Sequence, residues 1–445
     1  MVVDVLAAAP EARAPYALVT RERGWSFVEL GEAVRARADL LVGEGVARGD
    51  VIPRVVEPDE EGICELLALW SVGAVVAPLN PRLTATERET AVRTLKALPP
   101  GAVEGAQAIL WTSGSSGHPR GVALSFAALA ASTGGAAERL GLGHGDVWLA
   151  SLSPAHVGGL ALVVRSLLLG GTLVAYGSFD AAETSELIDG RGLPPGVEAP
   201  LTHLSVVPTQ LLRLLEARGG APPPPTFRCA LVGGARAPEA LVERALGAGW
   251  PVALTYGLTE ATSQVATASP ELVRRKTGTV GRPLTGVAVR IGGDGELLVR
   301  GATMASRYVG EKGAPLVDVE GWHHTGDVGR LDEDGDLWIT GRRIDRIVTG
   351  GVTVEAAEVE EVMRGHPGVV DVCVVALPDP EWGERVCAWV VAADPPPCAE
   401  DLDAYARGRL SPAKRPRRYH IGAALPLNPN GKVDRNAVRE TLTRS

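Results

Sequence analysis

The chain predicts an α/β fold: a large N-terminal domain of layered parallel sheets and helices, with a β-rich subdomain, and a small α+β domain at the C-terminus. Three observations lead there. Over the first three quarters, apolar strand-like runs alternate with amphipathic helical stretches, the pattern of parallel α/β layers. From about Gly278 the texture changes to short strands separated by Gly-rich turns. After Arg343 a compact tail mixes two helices with two strands, so the expected division is 1–343, with the β-rich part at about 278–343, and 346–445.

Each element has its own signal. Val51–Val56, Val72–Pro78, Ala106–Trp111, Thr172–Tyr176, His203–Val207, Ala230–Val232 and Val252–Thr255 are short apolar runs that read as buried strands. Between them, Phe27–Val42, Glu61–Trp70, Phe126–Leu140, Leu160–Leu169 and Thr209–Ala217 carry helical periodicity. The β-rich part offers Val287–Ile291, Glu296–Arg300, Gly329–Leu331 and Leu337–Ile339, with Asp332-Glu333-Asp334-Gly335 as a hairpin turn. In the tail, Glu355–Arg364 and Asp401–Leu410 read as helices, and Val369–Leu377 and Val386–Ala392 as strands. Pro222–Pro225 and Pro395–Pro397 read as stiff surface loops.

Composition bounds the function. At 445 residues the chain is too long for one ordinary core. A net charge of -9 argues against a nucleic-acid partner. No apolar run is long enough for a membrane span, and the first residues carry no basic-then-apolar leader, so a cytoplasmic enzyme is expected. Cys64, Cys229, Cys373, Cys387 and Cys398 are scattered without a Cys-x-x-Cys pair and read as reduced, incidental thiols. Only Lys96, Lys276, Lys312, Lys414 and Lys432 are lysines, arginine serving elsewhere, which gives weight to a lysine in a motif-like setting.

Four clusters carry chemistry. Trp111-Thr112-Ser113-Gly114-Ser115-Ser116-Gly117-His118-Pro119-Arg120-Gly121 follows a strand-like run; its glycines can turn backbone N–H groups, and its hydroxyls can add donors, toward an anion such as a triphosphate. No Gly-Lys-Ser/Thr closes it, which sets it apart from the common ATPase loop. Thr255-Tyr256-Gly257-Leu258-Thr259-Glu260 sends a ring, a hydroxyl and a carboxylate from one strand end; these suit an adenine, a phosphate and Mg²⁺ respectively, although a plain strand-to-helix turn also fits. Thr325-Gly326-Asp327, with Gly341-Arg342-Arg343-Ile344-Asp345 after it, can offer a carboxylate to a ribose, and is equally a common turn. Leu427-Asn428-Pro429-Asn430-Gly431-Lys432-Val433 is a rigid turn presenting one lysine, which taken alone reads as solvated.

Together, in identity, order and spacing, the four resemble the acyl-adenylate-forming superfamily over nearly the whole chain. The resemblance implies ATP, Mg²⁺ and coenzyme A as cofactor and co-substrates. It places Thr112, Ser113, Gly114, Ser115, Ser116 and Gly117 on the β- and γ-phosphates, and Gly234 and Ala235 on the adenine side. Tyr256 and Gly257 would lie against the base, Thr259 on the α-phosphate and Glu260 on the metal. Asp327 and Arg343 would hold the ribose, Asp345 would be the hinge, and Gly350 and Gly351 would flank the thiol acceptor. Lys432 matches the catalytic lysine carried by the mobile domain. Arg120 stands where the family usually has lysine; it keeps the cation but brings a planar fork in place of a point charge.

Within the superfamily, His156-Val157-Gly158-Gly159-Leu160 with Arg165 after it, and Thr259-Glu260 followed by Ser263-Gln264, look most like the o-succinylbenzoate–CoA ligases of menaquinone biosynthesis. That substrate is a small-molecule diacid, and His156, Gly158, Arg165, Ser263 and Gln264 would line its pocket, because a buried carboxylate needs such partners. For Arg165 a place on the helix surface is the competing reading. Other aryl- or acyl-CoA ligases, or a stand-alone adenylation enzyme loading a carrier protein, are the alternative functions. A non-catalytic descendant of the fold is disfavoured by Glu260, Asp327 and Lys432. A homodimer is left open.

Overall fold

The computed structural model describes residues 13–81, 83–99, 101–112, 120–309, 315–342, 345–349, 352–428 and 431–444. The chain forms two compact units. One comprises Met1–Arg290, Leu298–His324 and Asp332–Leu337; the other comprises Ile291–Leu297, Thr325–Leu331 and Trp338–Ser445. No helix among the described residues is long and apolar enough to cross a membrane.

The first unit is built on two sheets. The larger takes β1 (Leu18–Val19), β2 (Gly24–Trp25), β7 (Val147–Leu149), β8 (Thr172–Val174), β9 (His203–Val206), β10 (Cys229–Val232), β11 (Val252–Leu258) and β12 (Ser263–Ala268). Its order is β12-β11-β10-β9-β7-β8-β1-β2. The second takes β3 (Val51–Val55), β4 (Val75–Leu79), β5 (Ala106–Thr112), β6 (Arg120–Ser125) and β15 (Arg307–Val309), in the order β15-β6-β5-β4-β3. Parallel pairings form the middle of the larger sheet, β10 to β9, β9 to β7, β7 to β8 and β8 to β1, and two of these strands, β7 and β1, were not among the expected ones. Antiparallel strands complete its edges, β12 on β11 and β2 on β1. The sequence missed β12 because Ser-Gln-Val-Ala-Thr-Ala is too small and too polar to read as a strand.

Helices follow the sequence closely. Phe27–Gly43 begins with Ser26 and Glu29 satisfying each other's backbone N–H, the reciprocal cap of a helix start. Glu60–Val72 ends at Gly73 in the left-handed region, which truncates the expected strand at Val72 and starts β4 at Val75. The helix Val157–Leu168 is buried along most of its length, including Leu160, Leu162, Val163 and Leu167, and packs in one core with Trp148, Leu173, Cys229 and Ala253 of the larger sheet. A second core, with Leu204, Val206, Leu211, Leu214 and Trp250, lies among β9, β10, β11 and the helix Pro208–Ala217.

A further four-stranded sheet has the order β13-β14-β16-β17, from Val287–Ile291, Glu296–Gly301, His323–Leu331 and Leu337–Arg342. In the tail, β18 (Arg346–Thr349), β19 (Val352–Glu355), β20 (Val369–Asp379) and β21 (Gly383–Ala392) run in the order β19-β18-β21-β20, and β22 (Arg418–Gly422) pairs with β21. The helix Ala356–Arg364 buries Val359 and Met363 on this sheet, and Arg435–Arg444 buries Val438 and Leu442.

Candidate active site

The first unit gathers the predicted phosphate and metal residues at strand ends. Thr112 and Arg120 face each other as the last paired residues of the antiparallel β5–β6 hairpin, and the Thr112 hydroxyl donates to the Arg120 carbonyl at 3.4 Å. Ser113, Gly114, Ser115, Ser116 and Gly117 span the gap between them and lie outside the described residues. Arg120 is half-buried, its guanidinium carbon 5.5 Å from the ring centre of Tyr308. The Tyr308 hydroxyl donates to Glu260 Oε1 at 3.0 Å. Burial, chiefly, and then the Glu260 charge push the Tyr308 phenol well above its ordinary pKa, with Arg120 opposing them, so the phenol remains a donor. Sequence reasoning missed Tyr308 because 188 positions separate it from Arg120 and 48 from Glu260.

Glu260 sits in the 3₁₀ turn Thr259–Ala261 at the tip of the antiparallel β11–β12 hairpin, where its carbonyl accepts from the Ala305 N–H at 2.8 Å. Two non-glycine residues with positive φ follow it, Thr262 at 52° and Ser263 at 95°. Such strain persists only where surrounding structure enforces it, and it concentrates at functional sites. The hairpin register is irregular between Tyr256 and Gly257. A Cβ on Gly257 would lie 2.0 Å from the Ser263 carbonyl oxygen, so only glycine lets the two backbones meet there. Gly257→Ala is expected to cost about 3 kcal/mol or more of stability, the upper range for forcing atoms into a filled site, read as a lowered melting temperature. Tyr256 and Thr259 are half-buried on this hairpin, while Gly234 and Ala235 are exposed in the loop after β10. As an anionic oxygen donor with one oxygen held by a phenol, Glu260 suits a hard divalent cation such as Mg²⁺.

The predicted acid-pocket residues lie around the helix Val157–Leu168. His156 precedes its first turn, and its Nε2 is 3.2 Å from Asn80 Nδ2, a partner that β4 delivers from 76 positions away and that no local signal announces. Gly158 is half-buried against Leu152. Gly159 admits the Ser153 carbonyl, which a Cβ would meet at 2.2 Å, so the helix start lies directly on the 151–154 segment. Arg165 is not on the helix surface. It is 2 % exposed, its Nη2 donates to Gln264 Oε1 at 2.5 Å, and its Nε has no partner. Gln264 is buried and oriented by its own donation to Thr267 Oγ1 at 2.7 Å. Ser263 is buried beside it on β12.

The second unit holds the remaining predicted residues. Thr325 donates to the Leu297 carbonyl at 2.7 Å and accepts from the Asp327 N–H at 3.0 Å, fixing the tight turn. Asp327 is 5 % exposed and accepts from Arg342 Nε at 2.7 Å. The expected arginine neighbour, Arg343, lies outside the described residues; the adjacent Arg342 is the one seen on the carboxylate. Asp345 Oδ2 pairs with Arg435 Nε at 3.2 Å, and its Oδ1 lies 3.6 Å from Arg439 Nη2. The Glu360 carboxylate, 2.7 Å from Arg435 Nη2, extends this network and raises the Arg435 pKa despite its burial. Gly350 and Gly351 lie outside the described residues.

Lys432 is tied to Asn428 on both of its backbone groups. Its N–H donates to Asn428 Oδ1 at 3.0 Å, its carbonyl accepts from the Asn428 N–H at 2.7 Å, and Leu427 bridges to Val433. The residue is exposed overall, yet the protein packed around its ammonium lowers its pKa, with Arg342 adding to the shift and Asp327 opposing it.

Comparison with known proteins shows the family. The AMP-binding enzyme family matches residues 5–98 and 99–309, and the AMP-binding enzyme C-terminal domain matches 358–432. A 2-succinylbenzoate–CoA ligase of Geobacillus sp. (strain WCH70) is 32% identical over 463 residues, covering 94% of this chain and 92% of the relative. One from Bacillus cereus is 32% identical over 468 residues, covering 96% and 95%. Among solved structures, o-succinylbenzoate CoA synthetase (MenE) from Bacillus subtilis, in complex with the acyl-adenylate OSB-AMP, superposes with a TM-score of 0.89 at 28% identity, covering 98% of this chain and 97% of that one. The same enzyme with ATP and magnesium ion gives 0.86 at 27% identity, covering 99% of each chain. With both of its parts matched in order along the sequence, this chain belongs to the AMP-binding enzyme family.

Proposed function

We propose that the chain is an ATP-dependent acid–CoA ligase that converts o-succinylbenzoate to its CoA thioester through an acyl-adenylate. The observation that carries the choice of acid is Arg165, a buried guanidinium with no carboxylate paired to it among the described residues. A charge in such a place calls for an anion, and a substrate with two carboxylates supplies one while its other carboxylate reacts. Likeness over almost the full length to ligases named for this acid supports the same choice.

In the first step the succinyl carboxylate oxygen attacks the α-phosphorus of ATP, and pyrophosphate leaves with the electron pair of the broken P–O bond. Both reactants are anions, so cations must stand where charge accumulates. Arg120 and the 113–117 loop are the proposed phosphate donors, Thr259 contacts the α-phosphate, and Lys432 bridges nucleotide and acid. Tyr256 packs on adenine beside Gly234 and Ala235, and Asp327 with Arg343 holds the ribose. Mg²⁺, when bound at Glu260, neutralises phosphate charge; Tyr308 orients that carboxylate from the protein side. In the second step the thiol of coenzyme A attacks the acyl carbon, AMP leaves, and the thiol proton passes to solvent. For this step we propose that the tail, 346–445, turns about Asp345, withdrawing Lys432 and bringing Gly350 and Gly351 to the thiol.

Pyrophosphate release measured over a panel of acids, with and without coenzyme A, tests the proposal. o-Succinylbenzoate is expected to exceed benzoate or a fatty acid in kcat/KM by at least about 100-fold, within the range for losing one partner of a buried charge pair. Equal turnover of the three acids would remove the assignment. Thioester formed only on a carrier protein, and not on coenzyme A, would favour the stand-alone adenylation reading.

A further inference from the structure

The groups seen against the Arg165 charge among the described residues share one property: they are neutral. Trp148 on β7 and His203 on β9 are register partners, so their side chains leave the same face of the sheet. Their rings stack at 4.8 Å with 20° between the planes. The Arg165 guanidinium carbon lies 5.1 Å from the Trp148 ring centre. Cys229, the partner of His203 on β10, is on the same face and wholly buried, its thiol pushed up to about 12 by burial against the pull of Arg165. Burial, with Arg228 and Arg165 adding to it, pushes His203 down to about 3, so the imidazole is neutral. The remaining contact is the Gln264 amide oxygen.

A buried arginine that serves only architecture is ordinarily matched by a carboxylate. One lies close by: Asp146 is 2 % exposed, with Oδ1 3.7 Å from His203 Nδ1. Yet it pairs with Arg228 and accepts from the Gly143 N–H at 2.9 Å, and it makes no pair with Arg165. The fold thus holds this acid on Arg228 and Gly143 and lays an aromatic face beside the Arg165 guanidinium. A ring face attracts a cation through its quadrupole without cancelling the charge.

We propose that Trp148, backed by His203, positions Arg165 and preserves its uncompensated charge, and that this neutral floor is what makes the site select a diacid. The inference rests on the diacid reading above. Trp148 and His203 are positioning residues that act through the guanidinium.

The test compares kcat and KM for o-succinylbenzoate with those for the same keto acid lacking the ring carboxylate. In Trp148→Leu, the preference for the diacid is expected to fall about 30-fold, the size of a desolvated cation–π contact, through KM of the diacid alone. Trp148→Phe, which keeps a ring face, is expected to recover most of it. Independently, Cys229→Asp places a carboxylate beside Arg165 and is expected to abolish the preference, whereas Cys229→Ser retains it; these two decide the matter if the leucine variant does not fold. A diacid preference present in the unmodified enzyme and unchanged in Trp148→Leu and Cys229→Asp overturns the inference alone, as does an equal loss for both acids. No preference in the unmodified enzyme removes the diacid reading, and this inference with it.

Discussion

Replacing Lys432 by alanine is expected to slow adenylation by about 10²–10³-fold, the usual loss on deleting one preorganised charge donor, while a supplied acyl-adenylate still becomes thioester at nearly the unmodified rate. The split follows from the proposed division of labour. On that proposal the lysine brings two anions together in the first step and is withdrawn before the second. Its turn is held by backbone and Asn428 contacts that do not use the ammonium, so the alanine variant keeps the turn. ATP–pyrophosphate exchange reads the first half-reaction, and CoA consumption with synthetic acyl-adenylate reads the second. Equal loss of both would contradict a moving tail. There is a pH signature as well. Crowding and Arg342 lower the ammonium's pKa, so its charge is lost at a lower pH than in an unhindered lysine as pH rises. Exchange should therefore decline on the alkaline side earlier than ordinary lysine would allow. Lys432→Arg, whose guanidinium keeps its proton, should flatten that decline even if its maximum is lower.

The parts of the site visible in the sequence are those in which a short segment carries its own geometry. Thr112 and Arg120 are paired at the ends of two strands, Tyr256–Glu260 ends a strand, Thr325–Asp327 is a tight turn, and Asn428 and Lys432 bond to each other. Glycines, hydroxyls and charges at fixed offsets announce such units because the backbone conformation is local. Asn80, Trp148, His203, Tyr308 and Arg342 were not legible in the same way. Asn80 reaches His156, and Tyr308 reaches Arg120 and Glu260, only after sheets and helices are packed. Trp148 and His203 sit in strands whose apolar character already accounts for them, so nothing marked their rings as a floor beneath a charge. Arg165 divides the two cases. Its sequence context left surface and pocket open, and burial at 2 % excludes the surface. Most of the parallel core was likewise legible from alternating runs, though three-residue β7 within it was too short to stand out, and the antiparallel edge β12, which carries Ser263 and Gln264, was hidden by its small polar residues.

Arg165→Met should lower kcat/KM for the diacid by about 10²–10³-fold, since losing one partner of a buried charge pair costs 2–5 kcal/mol. The loss should fall on KM, with kcat retained if the succinyl carboxylate is still placed correctly. For the acid lacking the ring carboxylate the change should be small. The same substitution makes a second, opposite prediction on the free protein. The guanidinium is desolvated without a counter-ion, and burial pushes its pKa down to about 10, so the folded state pays to keep it charged at neutral pH. A flexible apolar side chain of similar length removes that penalty but also gives up the bond to Gln264 and the contact with Trp148. The melting temperature without ligand should therefore be unchanged or higher. Addition of o-succinylbenzoate should raise it in the unmodified protein much more than in the variant, because a ligand stabilises only the state it binds. A methionine variant that melts much lower, and loses both acids together, would mean that Arg165 is an element of the core and that the second carboxylate is met elsewhere.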